Sequence, residues 1–304
     1  MIRLGLGLLW LLRLLPLRLL AGIGDLAGLA AYRLAADRRR IACINLTACF
    51  PALPKREIES IVRRHFQCIT RAALEEGILW WSRRERLLRL IRLEGLEHWL
   101  VAQGRPVILF APHFVGLDMG GIRINAEYPL MTIYSKQKDP RADAIVLQRR
   151  NRFGTGTLYS RQDGLRPILK ALRKVPLYYL PDQDFGPRDA IFVPFFGIPA
   201  ATITGLARIA RMTGAKVVPC VTRQLPGGAG YVTRFYPAWD NYPSADLVAD
   251  TRRMNEFLEA RIVEMPEQYF WTHKRFKTRP AGEAHWYDRI ANPEIDSAAR
   301  SENV

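Results

Sequence analysis

The run Val107-Ile-Leu-Phe-Ala-Pro-His113-Phe-Val-Gly-Leu-Asp118-Met-Gly-Gly sets a histidine and an aspartate five residues apart, behind a short apolar stretch. A carboxylate on one imidazole nitrogen fixes the tautomer and leaves the other nitrogen as a general base. A pair of this kind without a serine must take its nucleophile from the substrate. His113 is therefore expected to deprotonate an alcohol or an amine, with Asp118 turned back across the first helical turn to orient the ring. The spacing is weakly specific, because five histidines and many acids produce such pairs by chance. The bland alternative is a hydrogen-bonded core histidine.

A second chemical patch is Leu180-Pro-Asp182-Gln-Asp184-Phe-Gly186-Pro-Arg188-Asp189, again behind an apolar run. Asp182, Asp184, Gly186 and Arg188 read as a substrate-binding loop. Asp182 and Asp184 also fit the carboxylate pair of a metal-dependent glycosyltransferase, and an Asx-rich structural turn remains a third reading. Arg161 stands just before a helical stretch, where it could reach a phosphate near the helix start. Lys274-Arg-Phe-Lys-Thr-Arg279 follows the aromatic-rich Tyr269-Phe-Trp271-Thr-His273. That block suits a membrane surface, an anionic substrate or a solvated basic face equally.

These residues need elements to hold them. Short apolar runs at Val107–Ala111, Met131–Tyr134, Val175–Leu180 and Lys216–Val221 alternate with helical patterns near 117–127, 141–151, 163–173, 203–214 and 245–264. Such alternation predicts an α/β fold with a central, mostly parallel sheet flanked by helices. Tyr231–Tyr236 adds a further strand. His113 then falls at the carboxyl end of a strand, where open α/β sheets place their ligand crevice. The chain divides into an N-terminal membrane-associated helix (1–36), a catalytic domain (37–280) and a mobile C-terminal tail (281–304).

The first 36 residues are dense in leucine, with Arg3, Arg18, Asp25 and Arg33 on one arc of a helical projection. Arg13 and Arg18 sit mid-stretch, where a central arginine costs about 2.5–3.5 kcal/mol in a bilayer, and Pro16 kinks the helix. The pattern fits a membrane-attached helix lying in the interface, with a helix that crosses the bilayer, a signal peptide and a buried helix of a soluble domain as the other readings. Net charge is +16, and 37 of the 45 basic residues are arginine, so anionic partners are expected. No nucleic-acid motif accompanies that charge. Four cysteines without a C-x-x-C pair exclude a disulfide framework and fit a reducing compartment.

Three blocks together carry a family resemblance over residues 30 to 280. They are His113-x4-Asp118, the Leu-Pro-Asp182-Gln-Asp184-Phe-Gly-Pro-Arg188 block with the following Val193-Pro-Phe-Phe-Gly, and Trp271-x-His273-Lys-Arg-Phe-Lys-Thr-Arg-Pro. This combination resembles the late acyltransferases of lipid A biosynthesis, the lauroyl and myristoyl transferases of the lysophospholipid acyltransferase superfamily. The resemblance implies transfer of a fatty acyl chain from acyl carrier protein to a hydroxyacyl chain of a lipid A precursor. It makes His113 the base and Asp118 its partner, with Arg161 and the Asp184 loop on the substrate and oxyanion side. It further implies acyl-phosphopantetheine as co-substrate without a metal, a glycolipid acceptor, and an inner-membrane location with the site facing the cytoplasm. Asp118 is shorter than the glutamate frequent in this branch. The Asn-His and E-G-T-R blocks of the glycerolipid branch are absent, which disfavours the alternative of another lysophospholipid acyltransferase.

Overall fold

The computed structural model describes residues 2–102, 104–136 and 139–289. Helices come first: α1 (Ile2–Leu12), α2 (Leu17–Leu34), α3 (Ala36–Cys49) and α4 (Lys55–Trp81). Then follow α5 (Arg84–Leu90), β1 (Ile91–Glu94), α6 (Glu97–Leu100), β2 (Val107–Phe110), α7 (Leu117–Asn125), β3 (Leu130–Tyr134) and α8 (Pro140–Arg150). The chain continues through β4 (Gly156–Ser160), α9 (Leu165–Leu172), β5 (Leu177–Tyr179), a hairpin of β6 (Ala190–Phe195) with β7 (Ile198–Ile203), and α10 (Gly205–Thr213). It closes with β8 (Lys216–Gln224), β9 (Tyr231–Phe235), α11 (Leu247–Glu264) and α12 (Trp286–Arg289).

Seven strands form one sheet in the order β1-β9-β8-β2-β5-β3-β4, parallel except for the β8–β9 pair. The mostly parallel α/β sheet expected from the alternating pattern is thus present. β2 is apolar and buried throughout, as a central parallel strand covered on both faces must be. Alternation along the strands sorts the core. Leu109, Leu130 and Tyr178 pack on the α7 face, whereas Ile108, Phe110, Met131 and Leu177 face α9 and α10. β1, β4 and the β6–β7 hairpin were not expected from the sequence. β1 is only four residues long, β4 at the sheet edge carries Gly156 and Ser160, and the hairpin strands contain Pro194 and Pro199, all of which weaken a strand signal.

The N-terminal stretch differs from the single helix expected over 1–36. It breaks ahead of Pro16 into α1 and α2, and α2 is built into the body of the protein. Leu17, Leu20, Ala21, Gly24 and Gly28 are buried, and the Thr70 hydroxyl donates to the Gly24 carbonyl at 2.8 Å. A Cβ on Gly28 would lie 2.5 Å from the Gln67 Cα, and one on Gly24 would lie 2.8 Å from the Arg71 Cα. Backbones this close tolerate no side chain. Gly28→Val should therefore cost about 1–3 kcal/mol, read as a lower thermal midpoint, while Gly22→Ala, with open space at its Cβ, should leave the midpoint unchanged or raised. Among the described residues no single helix is long and apolar enough to cross a membrane. Only α2 with α3, bent by 92° at their junction, passes on length and composition.

The tail expected to be mobile from Ala281 instead returns to the core through α12. Tyr287 is buried, donates its hydroxyl to Asn45 Oδ1 at 2.6 Å and accepts from the Phe276 N–H at 3.0 Å. Two adjacent aromatics in a polar stretch are enough to anchor it. The rest of that expected tail, residues 290–304, lies outside the described residues.

Candidate active site

β2 and β5 are hydrogen-bonded neighbours in parallel register, with Phe110 opposite Tyr179. Each strand leaves the sheet through a proline, and the third residue past each register partner is His113 on one side and Asp182 on the other. Register therefore brings them together. His113 Nδ1 lies 2.7 Å from Asp182 Oδ1, and the His113 backbone N–H donates to Asp182 Oδ2 at 3.0 Å. Asp182 is fully buried, whereas the His113 side chain keeps 22% of its surface exposed. Burial alone would raise the Asp182 carboxyl, but the His113 ring and its two hydrogen bonds outweigh that and hold it below the ordinary carboxylate value. One carboxylate thus grips both the ring and the backbone of the histidine, fixing its orientation.

The structure corrects the expected role of Asp118. It is the second residue of α7 and its carboxylate meets Arg150 at the end of α8, with an Oδ1–Nη2 distance of 2.9 Å, both residues lining the same cavity as His113. Burial, with Asp118 alongside, pushes the Glu76 carboxyl up to about 8. Asp118 and Arg150 form their own ion pair beside Glu76, and the ring partner of His113 is Asp182. Closeness in sequence favoured Asp118. Strand register favours Asp182, because adjacent parallel strands deliver their carboxyl ends to the same place.

Asp184 is also not where a substrate ligand would sit. It is buried, and its oxygens accept from the Gly186 N–H at 2.9 Å, the Thr278 N–H at 2.8 Å and the Thr278 hydroxyl at 2.9 Å. Gly186 has φ 99°, a backbone conformation that favours glycine and lets its N–H fold back onto Asp184. Both carboxylates of the Asp182–Asp184 pair are engaged by N–H and O–H donors, so the pair is arranged as a structural turn and a histidine partner rather than as hard-metal ligands. Among the described residues no three His, Cys, Asp or Glu side chains gather into a metal-binding group.

The basic block near residue 275 is mostly structural too. Arg275 is buried, donating to the Ala201 carbonyl and the Thr202 hydroxyl, both at 3.0 Å, and its guanidinium lies over Phe195. The segment around it straps the site from outside. The Phe270 N–H donates to the His113 carbonyl at 3.0 Å, the Val115 N–H to the Gln268 carbonyl at 2.9 Å, and the Asp184 N–H to His273 Nε2 at 3.2 Å. Burial, with Lys277 and Arg275 nearby, lowers the His273 imidazole to about 4, so the ring stays neutral and can accept that bond. The sequence reading gave neither His273 nor Gln268 a role. The repeated pattern apolar-Pro-polar, at Ala111-Pro-His113 and Leu180-Pro-Asp182, was the signal that could have paired His113 with Asp182.

His113 opens into a cavity of about 840 Å³ at the carboxyl edge of the sheet. Leu117, Ile122, Leu130, Ile133, Leu158 and Ile168 give it a largely apolar wall. Arg161, Arg188 and Arg208, all exposed, line it as well. Arg161 rests over the Phe185 ring at 4.3 Å, Arg188 is 3.9 Å from Asp189, and Arg208 is 3.3 Å from the same carboxylate. The site thus combines a buried acid, a half-open imidazole, a deep apolar hollow and a cationic rim. That arrangement suits proton abstraction beside a long hydrocarbon chain on an anionic molecule.

Residues 1–278 match the family described as bacterial lipid A biosynthesis acyltransferase. The lipid A biosynthesis lauroyltransferase of Escherichia coli K12 is 36% identical over 283 residues, 92% of each chain. The palmitoleoyltransferase of the same organism is 32% identical over 287 residues, 93% of each chain. Its myristoyltransferase is 33% identical over 275 residues, 89% of this chain and 84% of that one. The crystal structure of the 1-acyl-sn-glycerophosphate acyltransferase PlsC from Thermotoga maritima aligns with a TM-score of 0.37 and 17% identity, over 76% of this chain and 97% of that one.

Proposed function

The chain belongs to the bacterial lipid A biosynthesis acyltransferase family, and from that premise we propose that it moves a fatty acyl group from acyl carrier protein to a hydroxyl on a hydroxyacyl chain of a lipid A precursor, with His113 as general base held by Asp182. The observation that carries this reading is the 2.7 Å His113–Asp182 contact at the cavity. Asp182 holds Nδ1, so Nε2 is the nitrogen left to take a proton. His113 removes the acceptor hydroxyl proton as its oxygen attacks the thioester carbonyl. The tetrahedral intermediate then collapses, the carbon–sulfur bond breaks, and the proton passes to the departing pantetheine thiolate. The reaction balances without a further reactant.

The cationic rim supports an anionic acceptor, since arginine's planar fork suits phosphate. The net charge of +16 supports an acidic protein donor in the same way. Purified protein given an acyl-carrier thioester and a Kdo-bearing lipid A precursor should yield a product heavier by one ester-linked acyl chain. The apparent KM for the carrier protein should rise with salt. Product formed only from a different acyl donor would remove the carrier protein from the proposal, and no acyl-ester product with any donor would remove the whole.

We also propose that α1 and α2 rest on the cytoplasmic face of the inner membrane. Leu8 and Leu11 of α1, Leu14 in the link that follows and Leu26 of α2 are each more than half exposed, apolar surface of the kind that docks to lipid. A fully buried leucine contributes roughly 1.5–3 kcal/mol. Replacing Leu8, Leu11 and Leu14 together by glutamine should therefore weaken binding to anionic phospholipid vesicles by at least about tenfold, with the thermal midpoint retained. Undiminished co-sedimentation with vesicles would exclude these leucines as the docking surface.

A further inference from the structure

The cavity is not confined to one side of the sheet. Strand residues alternate between faces, and neighbours from both faces line it. Leu130 and Tyr178 belong to the core under α7, while Met131 and Tyr179 belong to the core under α9 and α10. One arm therefore runs beneath α7, past Gly121, Leu158 and Leu130, to Asn125 and Gly156 at the amino ends of β3 and β4. It follows the five residues of β3, about 16 Å at roughly 3.3 Å per residue. The other arm lies between the opposite face of the sheet and helices α9 and α10, against Ile133, Ile168 and Ile209. His113 stands at the carboxyl edge, where the two arms meet.

The arms differ in charge at their mouths. Arg161 stands four residues before α9, Arg208 is on α10, and Arg188 precedes the hairpin leading into α10, so these cavity-lining arginines flank the second arm. Asp189 offsets two of them, Arg188 and Arg208. At the α7 arm, Arg150 is paired with Asp118. An acyl transfer from a carrier thioester to a glycolipid brings two hydrocarbon chains to one base: the donor chain arrives on a protein-bound pantetheine arm, and the acceptor chain is attached to a phosphorylated sugar headgroup.

Resting on the acyl-transfer reading above, we propose that the arm between α9, α10 and the sheet is the binding site for the acceptor's hydroxyacyl chain, with Arg161, Arg188 and Arg208 receiving the acceptor's phosphate, while the donor acyl chain lies in the α7 arm. The two chains then approach His113 from opposite faces of the sheet. Acceptor hydroxyl and donor thioester meet at its free Nε2 without sharing one slot.

The test is steady-state kinetics on the full chain, with a phosphorylated lipid A precursor as acceptor and carrier thioesters of graded acyl length. Ile133→Phe and Leu165→Trp narrow the second arm from partly exposed positions. Each should raise the acceptor KM by about tenfold or more, the scale of a methylene-sized misfit in an apolar pocket, with the donor length preference kept. Arg208→Gln should raise acceptor KM for the phosphorylated acceptor and not for its dephosphorylated form. Gly121→Leu, where an added Cβ would lie 3.3 Å from the Tyr178 ring, and Leu158→Phe, at a half-buried position, should shift donor preference to shorter chains with little change in acceptor KM. If second-arm variants shorten the donor chain while acceptor KM stays put, the assignment is overturned. If wild-type protein transfers no acyl group at all, the underlying function fails instead, so the two failures are separable.

Discussion

His113→Ala is expected to lose about 10²–10⁴-fold in kcat, the usual contribution of a positioned general base, with acceptor and donor KM changed far less. The ring is partly exposed at the cavity, so its loss creates no large void in the core. Removing it leaves the buried Asp182 carboxylate with the backbone N–H of residue 113 but without the ring, which destabilises. His113→Gln retains a side chain able to donate to Asp182 but offers no base, and should be as inactive as the alanine variant while melting closer to wild type. Turnover and thermal midpoint measured on both proteins decide the matter. Near-normal turnover by either folded variant would exclude His113 as the base.

Asp182→Asn is expected to be nearly as damaging. In a catalytic triad, removing the corresponding charge costs about 10⁴-fold, because the imidazolium is no longer supported and the tautomer is wrong. The double variant His113→Ala, Asp182→Asn should be little worse than His113→Ala alone, since residues acting as one unit lose their contribution together. Combining His113→Ala with Asp118→Asn should instead multiply the separate losses, because Asp118 is hydrogen-bonded to Arg150 and not to the ring. Multiplicative losses for Asp182 with non-additive ones for Asp118 would reverse the assignment made from the contacts. A stability signature accompanies the kinetic one. The Asp182 carboxyl is held below its unfolded value, so it contributes stability above the ordinary carboxylate range and loses it as pH falls through the lowered native value. Asp182→Asn should lack that acid-side loss.

Particular residues show how far the chain alone could be read. Periodicity located β2, β3, β5, β8 and β9 and the helices between them, because a strand buried on both faces must be continuously apolar and a covering helix must present one stripe. It also placed His113 at a strand end. It failed at β4, an edge strand opened by Gly156, and at the β6–β7 hairpin, whose strands contain Pro194 and Pro199, and it treated residues 1–36 as a single helix. No local pattern distinguishes a leucine that meets lipid from one that meets α4. Gly24 and Gly28, which permit the close approach to α4, read in sequence as ordinary helix-weakening residues.

The chemistry divides along the same line. The sequence by itself determined the residue types at the site, the alternating α/β order that delivers them to one sheet edge, and the family blocks that mark acyl transfer. Those depend on composition and short-range spacing, which the chain carries in linear form. The partner of His113, the use of Asp184, Arg275 and His273 as structural ties, and the presence of an apolar arm on each face of the sheet were decided only by the tertiary structure. Each depends on which strands lie side by side. The β2–β5 register sets His113 against Asp182 across 69 residues, while Asp118, five residues away, is turned by its helix toward Arg150. Hydrogen bonding between parallel neighbours acts on space, and distance along the chain does not enter it.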